Sequence, residues 1–392
     1  MSGQTEINWG EELDLVGANT LETWTETSIG EICASVKSGG TPLSTVKEYY
    51  ENGQIPWLKT KEIKNARIYG AENYITELGL RNSSASLIPA NSISVAMYGD
   101  GGTAGRVGLT KVPLTTNQAC CNLTVDEQKA DYEFVFYKLL GSYDELVGMK
   151  TGSGQQNLSA SLVKNFRFNL PLLLEQRAIA SILSSLDEKI DLLYRQNTTL
   201  EALAETLFRQ WFVEEAKDEW EEVSLGDFFP VVTGKKDANY SNEGGQYPFF
   251  TCSQNALRCN NFSFEGYAIL LAGNGDFNVK RYRGRFEAYQ RTYVLISYDE
   301  HYVGFLYVFM KYLLHEITSS SRGSVISFIT KGTITDFKFA LPLNREIIYE
   351  KLDQFNGLHE KVDSNLKQIE TLTILRDTLL HKLMSGEVRV AY

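Results

Sequence analysis

The side chains best placed for chemistry in this chain are amides and cations grouped on short polar stretches. In the first half they are Lys59 and Lys61, Tyr98, Arg106, Asn117 with Gln118, and Gln155, Gln156 and Asn157. The second half offers Lys235 and Lys236, Asn274, Asn278, Lys280, Arg281, Arg283 and Arg285 with Tyr282 among them, Gln290 with Arg291, and Arg322 and Ser324. Carboxamides match the edge of adenine, guanidinium and ammonium groups match guanine, and all of them can hold phosphate oxygens. Such groups bind, whereas the usual signatures of covalent chemistry are missing. Each of the eight prolines follows Thr, Ile, Val, Leu, Phe or Tyr, which excludes the Asn-Pro-Pro-Tyr grip that common base methyltransferases close on a flipped base. There is no Gly-Lys-Ser/Thr phosphate loop, no Pro-Asp opening of a metal-dependent nuclease motif, and no His-Glu-x-x-His. Gly99-Asp100-Gly101-Gly102-Thr103-Ala104-Gly105 has the glycines of a phosphate loop, but Arg106-Val107-Gly108-Leu109 reads as a strand rather than a helix. A tight hairpin is favoured there over a nucleotide loop. The chain reads as a binder, not an enzyme.

The polar stretches lie between short apolar runs, so two β-rich regions must position them. From Ser28 to Phe168 the runs are Ile55 to Leu58, Ser92 to Met97, Val107 to Leu109 and Leu123 to Val125, with a helix expected over 131–146. The region 218–340 repeats the texture, with strands at Tyr267 to Leu271 and Tyr293 to Ile296 and a helix over 301–316. Its opening, Trp220 to Phe228, resembles Trp24 to Ile32, and Phe337-Lys338-Phe339 leads to Leu341-Pro342 as Phe166-Arg167-Phe168 leads to Leu170-Pro171. Behind each region comes a long amphipathic segment. The first carries Ile179, Ile182, Leu186, Ile190, Leu193, Leu200 and Leu207 at spacings of three and four, with Asp187 and Glu188 off the stripe. Its stretch 172–213 contains no Gly or Pro. The second carries Leu358, Val362, Leu366, Ile369, Leu372 and Leu375, and Gly386 stands as its C-cap. At a fixed shift of 172 residues Glu188-Lys189-Ile190-Asp191 falls on Glu360-Lys361-Val362-Asp363. The chain is a duplicated unit. Neither stripe is buried by its own helix, and two such helices packed antiparallel bury both. The expected class is α+β: two related globular domains separated by two long helices forming an antiparallel coiled coil, with pseudo-twofold internal symmetry. The expected boundaries are 1–169, 170–215, 216–340 and 341–392.

With 392 residues, 43% of them apolar and 22% charged, the composition is that of a soluble globular protein of two to three domains. No apolar run reaches membrane-spanning length, and the first twenty residues are polar and acidic, unlike a secretory signal. Five cysteines without Cys-x-x-Cys and four scattered histidines argue for free thiols in a reducing cytoplasm and against a metal site. The net charge of −11 does not exclude DNA, because residues 1–36 hold seven acids and no Lys or Arg while basic runs stand elsewhere.

The full pattern resembles the specificity (S) subunits of Type I restriction-modification systems. The residues that carry the likeness are Ser28-Ile29-Gly30-Glu31-Ile32, Ser38-Gly39-Gly40-Thr41-Pro42, Ile55-Pro56-Trp57-Leu58, Thr115-Thr116-Asn117-Gln118, and Gly154-Gln155-Gln156-Asn157-Leu158-Ser159 with Leu170 to Gln176 and Leu186 to Ile190. The second half matches more loosely, with Asn344-Arg345-Glu346 where the first has Leu174-Glu175-Gln176. The resemblance implies two target-recognition domains, each reading one half of a bipartite double-stranded DNA sequence. The helices then set the gap and recruit two methyltransferase (M) subunits, with motor/nuclease (R) subunits completing the complex. It also implies no cofactor on this chain, since S-adenosylmethionine belongs to the methyltransferase partner, and no membrane. Two related readers on a stiff spacer suit half-sites about one helical turn, ~34 Å, apart. A Type IIB-like assembly would share the fold, and a carbohydrate- or protein-binding module could use the same Tyr-rich loops. Binding that weakens steeply with salt separates DNA from glycan.

Overall fold

The structure is a computed structural model that describes residues 15–17, 24–99, 102–150, 157–275, 277–319, 328–342 and 345–390. The chain divides into two compact units. One uses residues up to Ile190 together with those from Glu370 onward, and the other runs from Asp191 to Ile369.

In the first unit a five-stranded sheet has the order Cys33–Ser38, Cys120–Val125, Ile93–Ala96, Val107–Thr110 and Ala66–Ile68, antiparallel except for the last pair. A second sheet places Ile55–Leu58 between Tyr74–Ile75 and, in parallel, Thr115–Thr116. The segment with glycines after Ile93–Ala96 is a hairpin, since Gly105 N donates to Ala96 O (2.8 Å) and Ala96 N to Arg106 O (2.9 Å). The helix expected over 131–146 starts on Asp131, whose carboxylate accepts from Phe134 N (2.9 Å), and runs Tyr132–Gly141, followed by Tyr143–Gly148.

The second unit has one six-stranded sheet, ordered Val231–Thr233, Thr292–Ile296, Phe264–Ala272, Val279–Ala288, Tyr247–Phe250 and Leu257–Cys259. Period-two alternation divides its central strand between two cores. Tyr267, Ile269 and Leu271 face one apolar cluster, and Ala268 and Leu270 face the other.

Entry and exit of each globular region are latched in the same way. Thr25–Ser28 pairs with Arg167–Leu170, and Glu221–Ser224 pairs with Lys338–Leu341. Ile29 N donates to Phe166 O (3.1 Å), and Leu225 N to Phe337 O (3.0 Å). An acid three residues past the serine closes each latch: Ser28 N donates to Glu31 Oε2 (2.7 Å) and Ser224 N to Asp227 Oδ2 (2.8 Å). The duplication therefore extends to individual hydrogen bonds.

The long helices are Leu173–Arg209, here the central helix, and Arg345–Ser385, the C-terminal helix. In each unit they pack antiparallel. The first unit's core holds Ile179 and Leu183 beside Leu380, Leu383 and Met384. The second unit's core holds Ala204 and Phe208 beside Leu352 and Phe355. Ile190, Leu193, Val362 and Ile369 are buried as expected, while Ile182, Leu186, Leu200, Leu358 and Leu372 are half-buried.

The stripe itself departs from expectation. Asp187 is not off it but buried, accepting from Tyr137 Oη (2.7 Å) and Arg376 Nη1 (2.9 Å). It stands four residues after Leu183 and three before Ile190, so helical spacing puts it on the packed face whatever its polarity. By the same spacing Asn197, His359 and Asn365 are buried, whereas Leu203, Leu366 and Leu375 are exposed. Asn365 Nδ2 donates to Gln196 Oε1 (2.9 Å) and to Asn197 Oδ1 (2.8 Å).

The first unit also joins the two ends of the described chain. Leu15–Gly17 pairs antiparallel with Val388–Val390. Arg389 holds the buried Glu175 carboxylate by two hydrogen bonds, one from Nε and one from Nη2 (2.8 Å). Gly386 takes the left-handed conformation (φ 76°) just past the C-terminal helix, as a C-cap requires. No helix among the described residues is long and apolar enough to cross a membrane.

Candidate nucleic-acid interface

Each unit builds one corner from three backbone segments, on which Tyr98, Asn117, Gln118 and Asn157 of the first unit and Asn274, Gln290 and Arg291 of the second converge. In the first unit Asn117 N donates to Leu58 O (2.9 Å), Met97 N to Ala119 O (2.8 Å) and Leu158 N to Met97 O (3.1 Å). In the second, Tyr289 N donates to Phe250 O (2.8 Å), Gly273 N to Arg291 O (2.8 Å) and Ile329 N to Gly273 O (3.0 Å). A glycine lies against each corner: a Cβ on Gly39 would overlap the Thr116 and Asn117 carbonyls, and one on Gly234 the Ala288 and Tyr289 carbonyls. The match sets Asn117-Gln118-Ala119 against Tyr289-Gln290-Arg291, Tyr98 against Asn274, and Asn157 against Phe328.

Backbone geometry is thus shared while the projecting side chains differ. In the first unit the Gln118 carboxamide oxygen accepts from the Thr41 hydroxyl, and Tyr98 is exposed. Asn117 is half-buried and accepts from Cys120 Sγ (3.2 Å). In the second unit Gln290 Nε2 donates to Asp237 Oδ1 (2.9 Å), and Asn274 Oδ1 accepts from Cys252 Sγ (3.1 Å). A cavity of about 420 Å³ opens at this corner, lined by Thr233, Asn274, Gln290, Arg291, Tyr293 and Phe328 among others.

The other candidates scatter. Lys59 donates to Asn73 (3.1 Å) and lies over the Trp57 ring, and Lys61 pairs with Glu72 (2.8 Å) at the surface. Arg106 is half-buried in the hairpin with no side-chain partner among the described residues. Lys235 is exposed, and Lys236 lies over the Tyr240 ring. The basic run at 280–285 separates by position along its strand: Arg281, Arg283 and Arg285 share one face, and Arg281 lies where the C-terminal helix covers that face. Arg281 is turned inward, paired with Asp363 (2.5 Å) and donating to His359 O (2.9 Å), with its side chain only 7% exposed. Its expected place at a DNA surface is corrected to one in helix packing, because its guanidinium is already satisfied by the C-terminal helix. Asn278 is likewise buried and donates to Cys252 O (2.8 Å), and Lys280 donates to Thr251 O (3.1 Å). Arg283 remains half-exposed over the Tyr267 ring, paired with Glu300 (3.2 Å), and Arg285 is paired with Glu265 (3.0 Å). Gln155, Gln156, Arg322 and Ser324 lie outside the described residues.

Sequence inspection missed one shared element. Gly53-Gln54-Ile55-Pro56-Trp57 and Gly245-Gln246-Tyr247-Pro248-Phe249 are the same motif. Each forms a strand that pairs in parallel with the corner segment, Trp57 opposite Thr115 and Phe249 opposite Glu287. The repeated Gly-Gln-x-Pro-aromatic pattern could have revealed it, but its offset differs from that of the helices.

Burial pushes the thiols of Cys33, Cys120 and Cys121 up to about 12, so they stay protonated at neutral pH.

The model of the Type I restriction modification DNA specificity domain matches residues 21–202 and again 217–370. The EcoDI specificity subunit of Escherichia coli is 42% identical over 177 residues, covering 43% of this chain and 39% of that protein. The MjaIX specificity subunit of Methanocaldococcus jannaschii is 28% identical over 414 residues, covering 94% of both. The crystal structure of a Type I restriction-modification S subunit from M. genitalium shares the fold, with a TM-score of 0.64 at 22% identity, covering 94% of this chain and 98% of that one. Two copies of one domain, each followed by a long helix and together covering most of the sequence, settle the kinship: the chain belongs to the Type I restriction-modification DNA specificity family.

Proposed function

We propose that this chain is the DNA-recognition subunit of a Type I restriction-modification complex, reading a split target with one globular region per half-site. The observation that carries this reading is the duplicated corner. Backbone hydrogen bonds fix it alike in both units, and different side chains project from it, as two readers of different sequences require. Phosphate contacts fall to the flanking cations, such as Lys61 and Lys235, and base contacts to the corner residues. The central helix, free of Gly and Pro, gives the gap a fixed length where a flexible linker would tolerate many.

On this reading two methyltransferase subunits and the motor/nuclease subunits assemble on the chain in the cytoplasm. The methyltransferase subunits hold S-adenosylmethionine and modify the target bases. The chain's own residues bind and orient DNA and perform no bond-breaking step, so the purified chain alone is expected to transfer no methyl groups. The decisive experiment is methylome sequencing of cells expressing the chain with its methyltransferase subunit, beside cells in which residues 24–168 come from a relative. A split motif in which only one half changes is expected. An unsplit motif, or no modification by a complex that demonstrably assembles, would overturn the reading.

A further inference from the structure

We infer that Arg291 reads a guanine in the half-site of the second unit, and that the first unit makes no matching contact. The assignment rests on the chain being a DNA reader and names the residue and the base. Arg291 is held from both sides. Its carbonyl accepts from Gly273 N (2.8 Å), and the preceding Gln290 is tied through N to Lys236 O (3.0 Å) and through Nε2 to Asp237 (2.9 Å). Its side chain is exposed, and no acid among the described residues engages it. Most other arginines and lysines of this sheet are committed: Arg281 to Asp363, Arg283 to Glu300, Arg285 to Glu265, and Lys280 to Thr251. Rigid backbone with an unengaged guanidinium is the preorganisation a base contact needs.

The surroundings favour a base edge over a phosphate. Among the described residues lining the cavity Arg291 is the one cation, and beside it are the Asn274 carboxamide and the Thr233 hydroxyl. Asn274 Oδ1 already accepts from Cys252, which leaves its NH2 to donate. Two parallel guanidinium N–H groups match guanine O6 and N7, and a neighbouring amide donor adds selectivity. A phosphate site would gather several cations or backbone N–H groups. At the matching position the first unit has Ala119, whose carbonyl accepts from Met97 N (2.8 Å) as that of Arg291 accepts from Gly273 N. Nothing at Ala119 can make the bidentate contact.

The test is selection of bound duplexes from a randomised pool by the full chain co-purified with its methyltransferase subunits. Wild type would be compared with Arg291→Ala and Arg291→Lys, each checked for folding by circular dichroism. The expected result is that both variants lose preference for G at one position of one half-site, by about tenfold or more, while the other half-site is unchanged. Lysine is expected to retain affinity better than alanine without restoring the preference. Uniform weakening across all sequences, with the salt slope reduced by about one, would make Arg291 a phosphate contact and overturn the inference. An unchanged motif in both variants would overturn it as well. Should Arg291→Ala misfold, the lysine variant decides alone. If wild type enriches no sequence at all, the DNA-reading function falls and this inference with it.

Discussion

Asp187 and His359 are buried ionisable groups with opposite consequences. Asp187 receives Tyr137 and Arg376 in the first unit, and Arg376 also touches Asp377 at the surface (2.7 Å). Asp187→Ala strands a phenol and most of a guanidinium, and is expected to cost about 3 kcal/mol by urea denaturation. His359 is buried against the Tyr307 ring, and burial followed by the nearby Arg281 charge pushes its imidazole down to about 3. The folded second unit therefore holds it neutral, while the unfolded chain takes up a proton below about pH 6.5. The stability it contributes is present above that pH and is lost at about 1.4 kcal/mol per unit as pH falls from 6.5 toward 3. His359→Gln is expected to flatten melting temperature against pH over that window, and an unchanged slope would refute the assignment. Neither residue was legible as such. The sequence placed Asp187 outside the stripe because it is charged, although its spacing put it inside. Arg281 misled for a different reason: four basic residues in six read as a surface, but the C-terminal helix covers the strand face at Arg281.

The long helices were legible from periodicity alone, and so were the strands with unbroken apolar runs such as Tyr267 to Leu271. What periodicity cannot give is which residues of a crowded stripe face the partner helix. Leu203, Leu366 and Leu375 fit a period of 3.6 and still face outward, because Asn197, His359 and Asn365 take the inward places. The hydrogen bond from Asn365 Nδ2 to Asn197 Oδ1 forms only when the two helices are in register, and even then Asn197 Nδ2 and Asn365 Oδ1 have no partner among the described residues. Shifting one by a residue would bury carboxamides without partners, at about 1–3 kcal/mol each. Leucine at both positions is expected to raise the melting temperature while allowing alternative registers, seen as heterogeneous cross-links between cysteines placed on the two helices. Charged residues at Leu186 and Ile190 are expected to abolish co-purification with the methyltransferase subunits, with the second unit's sheet still protected from hydrogen exchange. Normal complex formation would remove the helices from assembly. The corner was half legible. Thr115 to Gln118 stood out, but its counterpart Glu287 to Gln290 shares little sequence, and only the matching hydrogen bonds pair them.

At the scale of the molecule the two units differ in how the chain supplies them. The second is continuous from Asp191 to Ile369, whereas the first needs residues from Glu370 onward. Leu380, Leu383 and Met384 fill its core, and Val388–Val390 pairs with Leu15–Gly17. Leu383→Ala is expected to cost about 3 kcal/mol. Hydrogen exchange should then rise across Ile93–Ala96 and Tyr132–Gly141 and stay unchanged across Phe264–Ala272; a uniform rise would mean the units do not open separately. This dependence carries over to synthesis. The strands and central helix of the first unit leave the ribosome early, but the helix turn that closes their core follows roughly 180 residues later. At about 5–20 residues per second that is a wait of about ten to forty seconds with apolar surface uncovered, during which the second unit can complete itself. A message cut short between codons 370 and 379 would yield a protein whose later-encoded reader is sound and whose first-made reader never closes.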